Sequence, residues 1–305
     1  MRRSVVAIGN FDGVHSGHQE LLATAVRRAT ELQTATEPVP VVVVTFWPHP
    51  MSVVATPGRA PLLLTSLQDR IDLLRRSGAD QIRVVQFTRE VADWSPEHFI
   101  KTILGPLNPA LVVVGQNFRF GKDAKGTPET MRQVGEGRFE VEVLTLTSVD
   151  SEQTRSTLVR NALLKGDVAT AARHLGRPFR VRGVVVVGDQ RGRELGFPTA
   201  NMPVAAEMAT PADGVYAGWL RRLDQPDAPK LPAAISVGTN PTFDGIERRV
   251  ESYVLDRADL DLYGVELGVE FVEHLRGQIK FASVDDLIAQ MTTDVVNTRR
   301  ALGIA

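Results

Sequence analysis

Helical periodicity runs through the first half of this 305-residue chain and ends at Pro178. Upstream, continuous apolar runs at 5–11, 41–46, 82–87, 111–115 and 141–146 read as buried strands. Between them, Leu21, Leu22, Ala25, Val26, Ala29 and Leu32 recur at helical spacing over 19–32. Leu67, Ile71 and Leu74 do the same over 66–76, with Ser66 as N-cap, and 95–104 reads as a helix with Pro96 at its first position. Apolar strands alternating with helices predict a parallel sheet covered on both faces. Two short helices are expected at 156–163 and 167–175. Beyond Pro178, runs at 179–187, 214–221, 233–238, 249–255 and 265–271 are separated by turns rich in Gly, Pro, Asp and Asn. That pattern predicts an antiparallel barrel or sandwich. Ser283 with Asp286 opens a closing helix in a capping-box-like arrangement. The expectation is an α/β domain over 1–177, then a small β domain with a C-terminal helix over 178–305.

Composition narrows the function. Lys and Arg total 35 against 36 Asp and Glu, a net charge of −1, so no basic footprint for nucleic acid exists. There is no cysteine, which excludes disulfides, thiolate metal sites, iron–sulfur clusters and a cysteine nucleophile, and fits the cytoplasm. No apolar stretch approaches the 18 or so residues of a membrane span, and the N-terminal apolar run meets Asn10 and Asp12 too soon for a signal peptide. Near-zero charge leaves a homo-oligomer open.

Two segments carry chemistry. GNFDGVHSGHQ (9–19) lies where the first strand hands over to the first helix, the place where open α/β sheets bind ligands. Gly9, Gly13 and Gly17 allow close backbone approach, and His15 and His18 sit at the helix start. Imidazoles beside unsatisfied backbone N–H groups make an anion site, suited to phosphates in adenylyl transfer. A zinc site would need a third ligand that the surrounding sequence does not offer. The second segment is GDQRGRELGFPTAN (188–201). The chain has no P-loop signature, so phosphotransfer there needs another cradle. Thr199 and Asn201, two apart, face one side of an extended segment and could ligate Mg²⁺ carried by a nucleotide. A turn held by Thr and Asn side chains is the competing reading.

The first string resembles the H-x-G-H nucleotidyltransferases, specifically the bacterial bifunctional riboflavin kinase/FAD synthetases. TFWPHP (45–50), GQNFRFGKDAKG (115–126) and RSTLVRNALLKGDVATAARHLGRPF (155–179) add to the likeness. In the second half GRELGFPTAN, DGVYAG, SVGTNPTF, VESYVLDRADLDLYG and LRGQIKF do the same. The resemblance covers essentially the whole chain. It implies a Rossmann-like α/β nucleotidyltransferase domain followed by an antiparallel β-barrel riboflavin kinase domain. The expected substrates and products are ATP, riboflavin, FMN and FAD, with Mg²⁺ accompanying ATP.

Carried over residue by residue, the resemblance gives His15 and His18 to adenylyl transfer. It gives Gly9, Phe11, Gly17, Ser156, Thr157 and Arg160 to that site's nucleotide. Asn117 would contact flavin phosphate, Glu251 would be the kinase base, and Gly196, Thr199 and Asn201 would hold Mg²⁺–ATP. Asn240 and Arg276 would contact nucleotide or flavin. The family pattern has Asp where this chain has Asn117, and Ser where it has Arg155. Lys122, Asp123 and Lys125 read as a solvated loop face. Asp256 and Asp261 read as turn charges, and Phe243, Tyr263 and Phe281 as barrel core more than as flavin-stacking rings.

Overall fold

The computed structural model describes residues 3–56, 58–145, 148–149, 152–153, 155–188, 195–225, 227–242, 245–257 and 259–304. It divides into two compact units, Met1–Ser156 and Thr157–Ala305.

The first unit is a five-stranded parallel sheet: β1 (Ser4–Ile8), β2 (Val41–Trp47), β3 (Gln81–Gln86), β4 (Pro109–Gly115) and β5 (Glu140–Leu144). The order is β3-β2-β1-β4-β5. β1, β2 and most of β4 are buried on both faces, which is why they read as near-continuous valine-rich apolar runs instead of alternating. On one face α1 (Ser16–Leu32) lays Leu21, Leu22, Ala25 and Ala29 against Val5, Ala7, Val43 and Val113. On the other, Phe99, Ile100, Ile103, Leu104 and Met131 cover Val6, Ile8, Val44 and Val114. The short helix α2 (Pro50–Val54) follows β2. Ser66 caps α3 (Leu67–Arg76) as expected, its hydroxyl accepting from Asp69 N.

The expected helix at 95–104 is more broken than its pattern suggests. After the single turn α4 (Arg89–Ala92) comes α5 (Pro96–Phe99), which runs into a π-helical turn over Ile100–Leu104. A helix missing from the sequence reading, α6 (Pro128–Gly135), links β4 to β5. Its signal was Thr127, Pro128 and Thr130: a reciprocal Thr127–Thr130 capping box with Pro at the first turn. A two-stranded ribbon, β6 (Ser148–Val149) with β7 (Glu152–Gln153), also went unforeseen.

α7 (Ser156–Leu164) starts on the last residue of the first unit, and α8 (Val168–Leu175), capped by Asp167, lies in the second. Six antiparallel strands follow: β8 (Phe179–Val184), β9 (Thr199–Val204), β10 (Gly214–Arg222), β11 (Leu231–Thr242), β12 (Gly245–Val254) and β13 (Glu266–Arg276). Their order is β8-β13-β10-β11-β12-β9, and a bridge from Val186 N to Asn201 O brings the two ends together into a barrel. The sequence reading expected five strands. The sixth is β9, whose Asn201 and Pro203 are poor strand formers held by pairing with β12. The closing helix α9 (Val284–Leu302) is capped by Ser283, as expected. Arg276 Nε and Nη2 bind the buried Asp294 carboxylate, tying the end of β13 to α9. No helix among the described residues is long and apolar enough to cross a membrane.

Candidate active sites

In the first unit the strand order reverses at β1, with β2 on one side and β4 on the other, so the crevice beyond their carboxyl ends is the topological switch point. The turn from β1 into α1 lies there. Phe11 (φ 53°) and Val14 (φ 41°) take left-handed backbone, rare for any side chain and rarer for a β-branched one. Both are buried. A Cβ on Gly9 would press the Phe11 ring at 3.3 Å, so glycine suits that position. His15 is the N-cap of α1: its Nδ1 accepts from His18 N at 3.3 Å. Acceptance there uses the Nδ1 lone pair and leaves the neutral ring's proton on Nε2. The His15 and His18 rings stack with centroids 3.6 Å apart, and Phe11 meets His18 edge-on at 5.1 Å. Gly17, buried, lies between them. Two imidazole edges therefore stand at the N-terminus of a 17-residue helix.

Ser156 reaches this turn, its hydroxyl donating to Asp12 O at 2.9 Å. Thr157 is exposed and Arg160 half-buried on the first turns of α7. Asn117 is exposed in the turn after β4. With Asn10 it lines a cleft of about 690 Å³ whose other walls are largely apolar and aromatic, including Phe46, Met51, Val54, Phe87 and Phe118. The sequence reading missed those wall residues; TFWPHP and GQNFRFG supply several of them. Lys122 and Lys125 are exposed and pair with Asp93 and Asp123.

In the second unit the site is set by register. Residues directly opposite each other on antiparallel strands point to one side. Glu251 of β12 lies opposite Asn201 of β9 and opposite Ser236 of β11, and Thr199 lies opposite Tyr253. Val250, Ser252 and Val254 point the other way and are buried. So Thr199, Asn201, Glu251 and Ser236 form a row on one face of the barrel wall. Asn201 Nδ2 donates to Thr199 Oγ1 at 3.2 Å. Gly188 packs against that amide: a Cβ there would sit 2.6 Å from Asn201 Cγ. Gly196 (φ 85°) turns the chain so that Phe197 meets Tyr253 edge-on at 5.1 Å. Burial pushes the Tyr253 phenol pKa up, and Asp256 adds to the effect.

Glu251 lines a cleft of about 290 Å³ with Asp213, Ser236, Thr239, Arg249 and Gln278. Gln278 donates to Ser236 Oγ at 3.2 Å and to Val237 O at 2.9 Å. These neighbours escaped the sequence reading, although Gln278 belongs to LRGQIKF. Arg276 points elsewhere, to Asp294 and to Gly277 O. Asn240 lies on β11 opposite Glu247; its side chain and all of Phe243 lie outside the described residues, as does 189–194. Tyr263 departs from the core expectation. It is 41% exposed and borders a slot with Thr199, Ala200 and Ser252. Phe281 is half-buried in the segment after β13. Asp256 pairs with Arg299, and Asp261 is an exposed turn residue that accepts from Tyr263 N.

Residues 1–158 match the family model for FAD synthetase, and residues 175–302 that for riboflavin kinase. A bifunctional riboflavin kinase/FMN adenylyltransferase of Escherichia coli K12 is 36% identical over 302 residues, 98% of this chain and 93% of that protein. Its namesake in Listeria monocytogenes is 35% identical over 298 residues, 97% and 91% of the two chains. A crystal structure described as a macrolide-efflux protein of Streptococcus pneumoniae aligns at a TM-score of 0.86 and 34% identity, covering 98% of this chain and 94% of that one. With two family matches in tandem and relatives of one description along nearly its whole length, the chain belongs to the bifunctional riboflavin kinase/FMN adenylyltransferases: it phosphorylates riboflavin with ATP to FMN, and joins FMN to the AMP of a second ATP, giving FAD and pyrophosphate.

Proposed function

We propose that the kinase reaction runs on the barrel face carrying Glu251, and the adenylyl transfer at the turn carrying His15 and His18. The register of β12 supports the first assignment most directly, because it sets a carboxylate between Asn201 and Ser236 beside a cleft. Riboflavin's terminal ribityl hydroxyl would lie at Glu251. The carboxylate accepts the hydroxyl proton as that oxygen bonds to the γ-phosphorus and the bond to the ADP oxygen breaks. Thr199 and Asn201 hold the nucleotide. Their hydroxyl and amide oxygens are hard neutral donors on one face, and the Asn201 amide nitrogen is turned to Thr199, a set that fits Mg²⁺ carried by ATP. Bound there, the ion would neutralise phosphate charge. Gly196 gives the nucleotide room, and Asn240, next after Thr239 on β11, is assigned to nucleotide or flavin by the family likeness. Arg276 would act through its tie to α9, which holds the strand leading to Gln278.

In the adenylyl transfer, an FMN phosphate oxygen attacks the α-phosphorus of ATP and pyrophosphate leaves. His15 and His18 donate hydrogen bonds to phosphate oxygens at the start of α1, where the helix end favours negative charge. Gly9, Phe11 and Gly17 shape that turn, and Ser156, the last residue of the same unit, joins it through Asp12 O; the family likeness alone assigns Thr157 and Arg160 to the nucleotide. The aromatic cleft beside Asn117 suits the isoalloxazine, with the amide facing the flavin phosphate. We place the working boundary of the two halves at residue 177 and the enzyme in the cytoplasm, without nucleic-acid or membrane partners.

The test is a separation of activities in the full chain. Glu251→Ala should abolish riboflavin phosphorylation and spare FMN adenylylation. His18→Ala should spare the kinase and, with FMN supplied directly, cut FAD formation to a slow but measurable rate. Undiminished FAD formation by His18→Ala would remove that residue from the mechanism, and parallel loss of both activities in a folded variant would argue against separate sites.

A further inference from the structure

One charged pair in the first unit is buried almost completely and has no role in the chemistry above. Arg70, on α3, is 0% exposed, and Asp12, in the turn between β1 and α1, is 1% exposed. Asp12 stands between the two left-handed residues Phe11 and Val14. Its carboxylate accepts from Leu64 N at 3.0 Å, Thr65 N at 3.2 Å and Thr65 Oγ1 at 3.3 Å, and faces Arg70 Nη2 at 3.5 Å. Arg70 Nη1 donates to Phe46 O at 3.1 Å, and its guanidinium lies 5.5 Å from the centre of the Trp47 ring. Thr65 Oγ1 also accepts from Gly13 N. One guanidinium therefore ties the histidine-bearing turn to the end of β2.

A buried ion pair is a poor device for stability alone, since apolar residues of similar volume usually do as well. A left-handed, non-glycine turn persists only where its surroundings over-determine it. We infer that Arg70 is a positioning residue for adenylyl transfer: through Asp12 and Phe46 O it holds the turn in the backbone conformation that stacks His15 on His18 and aims both at the phosphates. It touches no substrate. The inference rests on the reading of those two histidines as the phosphate-holding pair.

The experiment uses the full chain, with both activities assayed on every variant. Arg70→Met should lower kcat for FMN adenylylation by about 100-fold, the loss that a misplacement of roughly 1 Å brings. KM values for ATP and FMN should move less, and the kinase should keep its rate. Arg70→Lys keeps the charge without the planar fork that reaches two partners, and should recover part of the loss. The deciding measurement is a double-mutant cycle. If Arg70 acts through the histidines, Arg70→Met in a His18→Ala background should cost under about threefold, because residues acting as a unit are not additive. Full additivity, or an Arg70→Met enzyme with wild-type adenylylation, overturns the inference. Where Arg70→Met fails to fold, Arg70→Lys and Asp12→Asn carry the same cycle. Near-wild-type adenylylation by His18→Ala itself would instead overturn the reading of the histidines.

Discussion

The two sites are built in opposite ways. The histidine turn of the first unit, the proposed phosphate site, is contiguous in sequence, within residues 9–18, and is held by a buried clamp of hydrogen bonds and one ion pair. The proposed kinase row of the second unit draws Asn201, Ser236 and Glu251 from three strands, and ladder register sets them opposite one another. The first is a shaped loop whose geometry is stored in its neighbours. The second is a coordinate on a sheet, fixed by which residue faces which. Damage to the first should be local and graded; damage to the second should depend on the pairing of whole strands.

The sharpest test of that contrast is Glu251→Gln, which keeps the register and removes the proposed proton acceptor. Riboflavin phosphorylation should fall by about 10²–10⁴-fold, with FMN adenylylation within twofold of the unaltered chain. Next in size is Asp294→Ala, which strips Arg276 of a buried partner and loosens α9 from the end of β13. Loss of about 3 kcal/mol is expected, read from denaturant unfolding. Gly188→Ala presses the Asn201 amide without touching Glu251. It should raise the kinase KM for ATP by roughly tenfold, about 1.4 kcal/mol, more than it lowers kcat. An unchanged KM would mean that the amide's position does not matter to nucleotide binding.

The smallest effect tests the scaffold alone. Asp167 caps α8, and the Thr170 hydroxyl and backbone N–H hold its carboxyl below the usual range. A depressed folded pKa contributes stability above the unfolded value near 3.8 and loses it as pH falls through the folded one. Asp167→Ala should therefore cost about 1 kcal/mol at neutral pH, and the difference in melting temperature should shrink below pH 4.

What could be read from sequence follows the same division. The change at Pro178 gave both architectures, because period-2 and period-3.6 patterns survive in any chain that buries one face of its elements. The histidine turn was legible because its residues are neighbours in sequence. β9 was not: Asn201 and Pro203 argue against a strand, and only the partner β12 makes it one. The clamp was overlooked for a subtler reason. Arg70 falls three residues after Leu67 and four before Leu74, on the very stripe expected to face the core. A cation on that stripe was the clue, but its partner, Asp12, lies 58 residues away.

The alternation along β12 has a consequence for how this enzyme can change over generations. Positions 250, 252 and 254 pack the wall, while 249, 251 and 253 face the other side. Heredity thus writes two messages on one strand, interleaved letter by letter. Substitutions can edit either message and leave its neighbour intact, so substrate preference can drift by point changes without eroding the fold. A single-codon insertion or deletion would transpose them, sending the carboxylate inward and a core side chain out, so lineages of this barrel should vary in β12 by replacement and in length only at its turns.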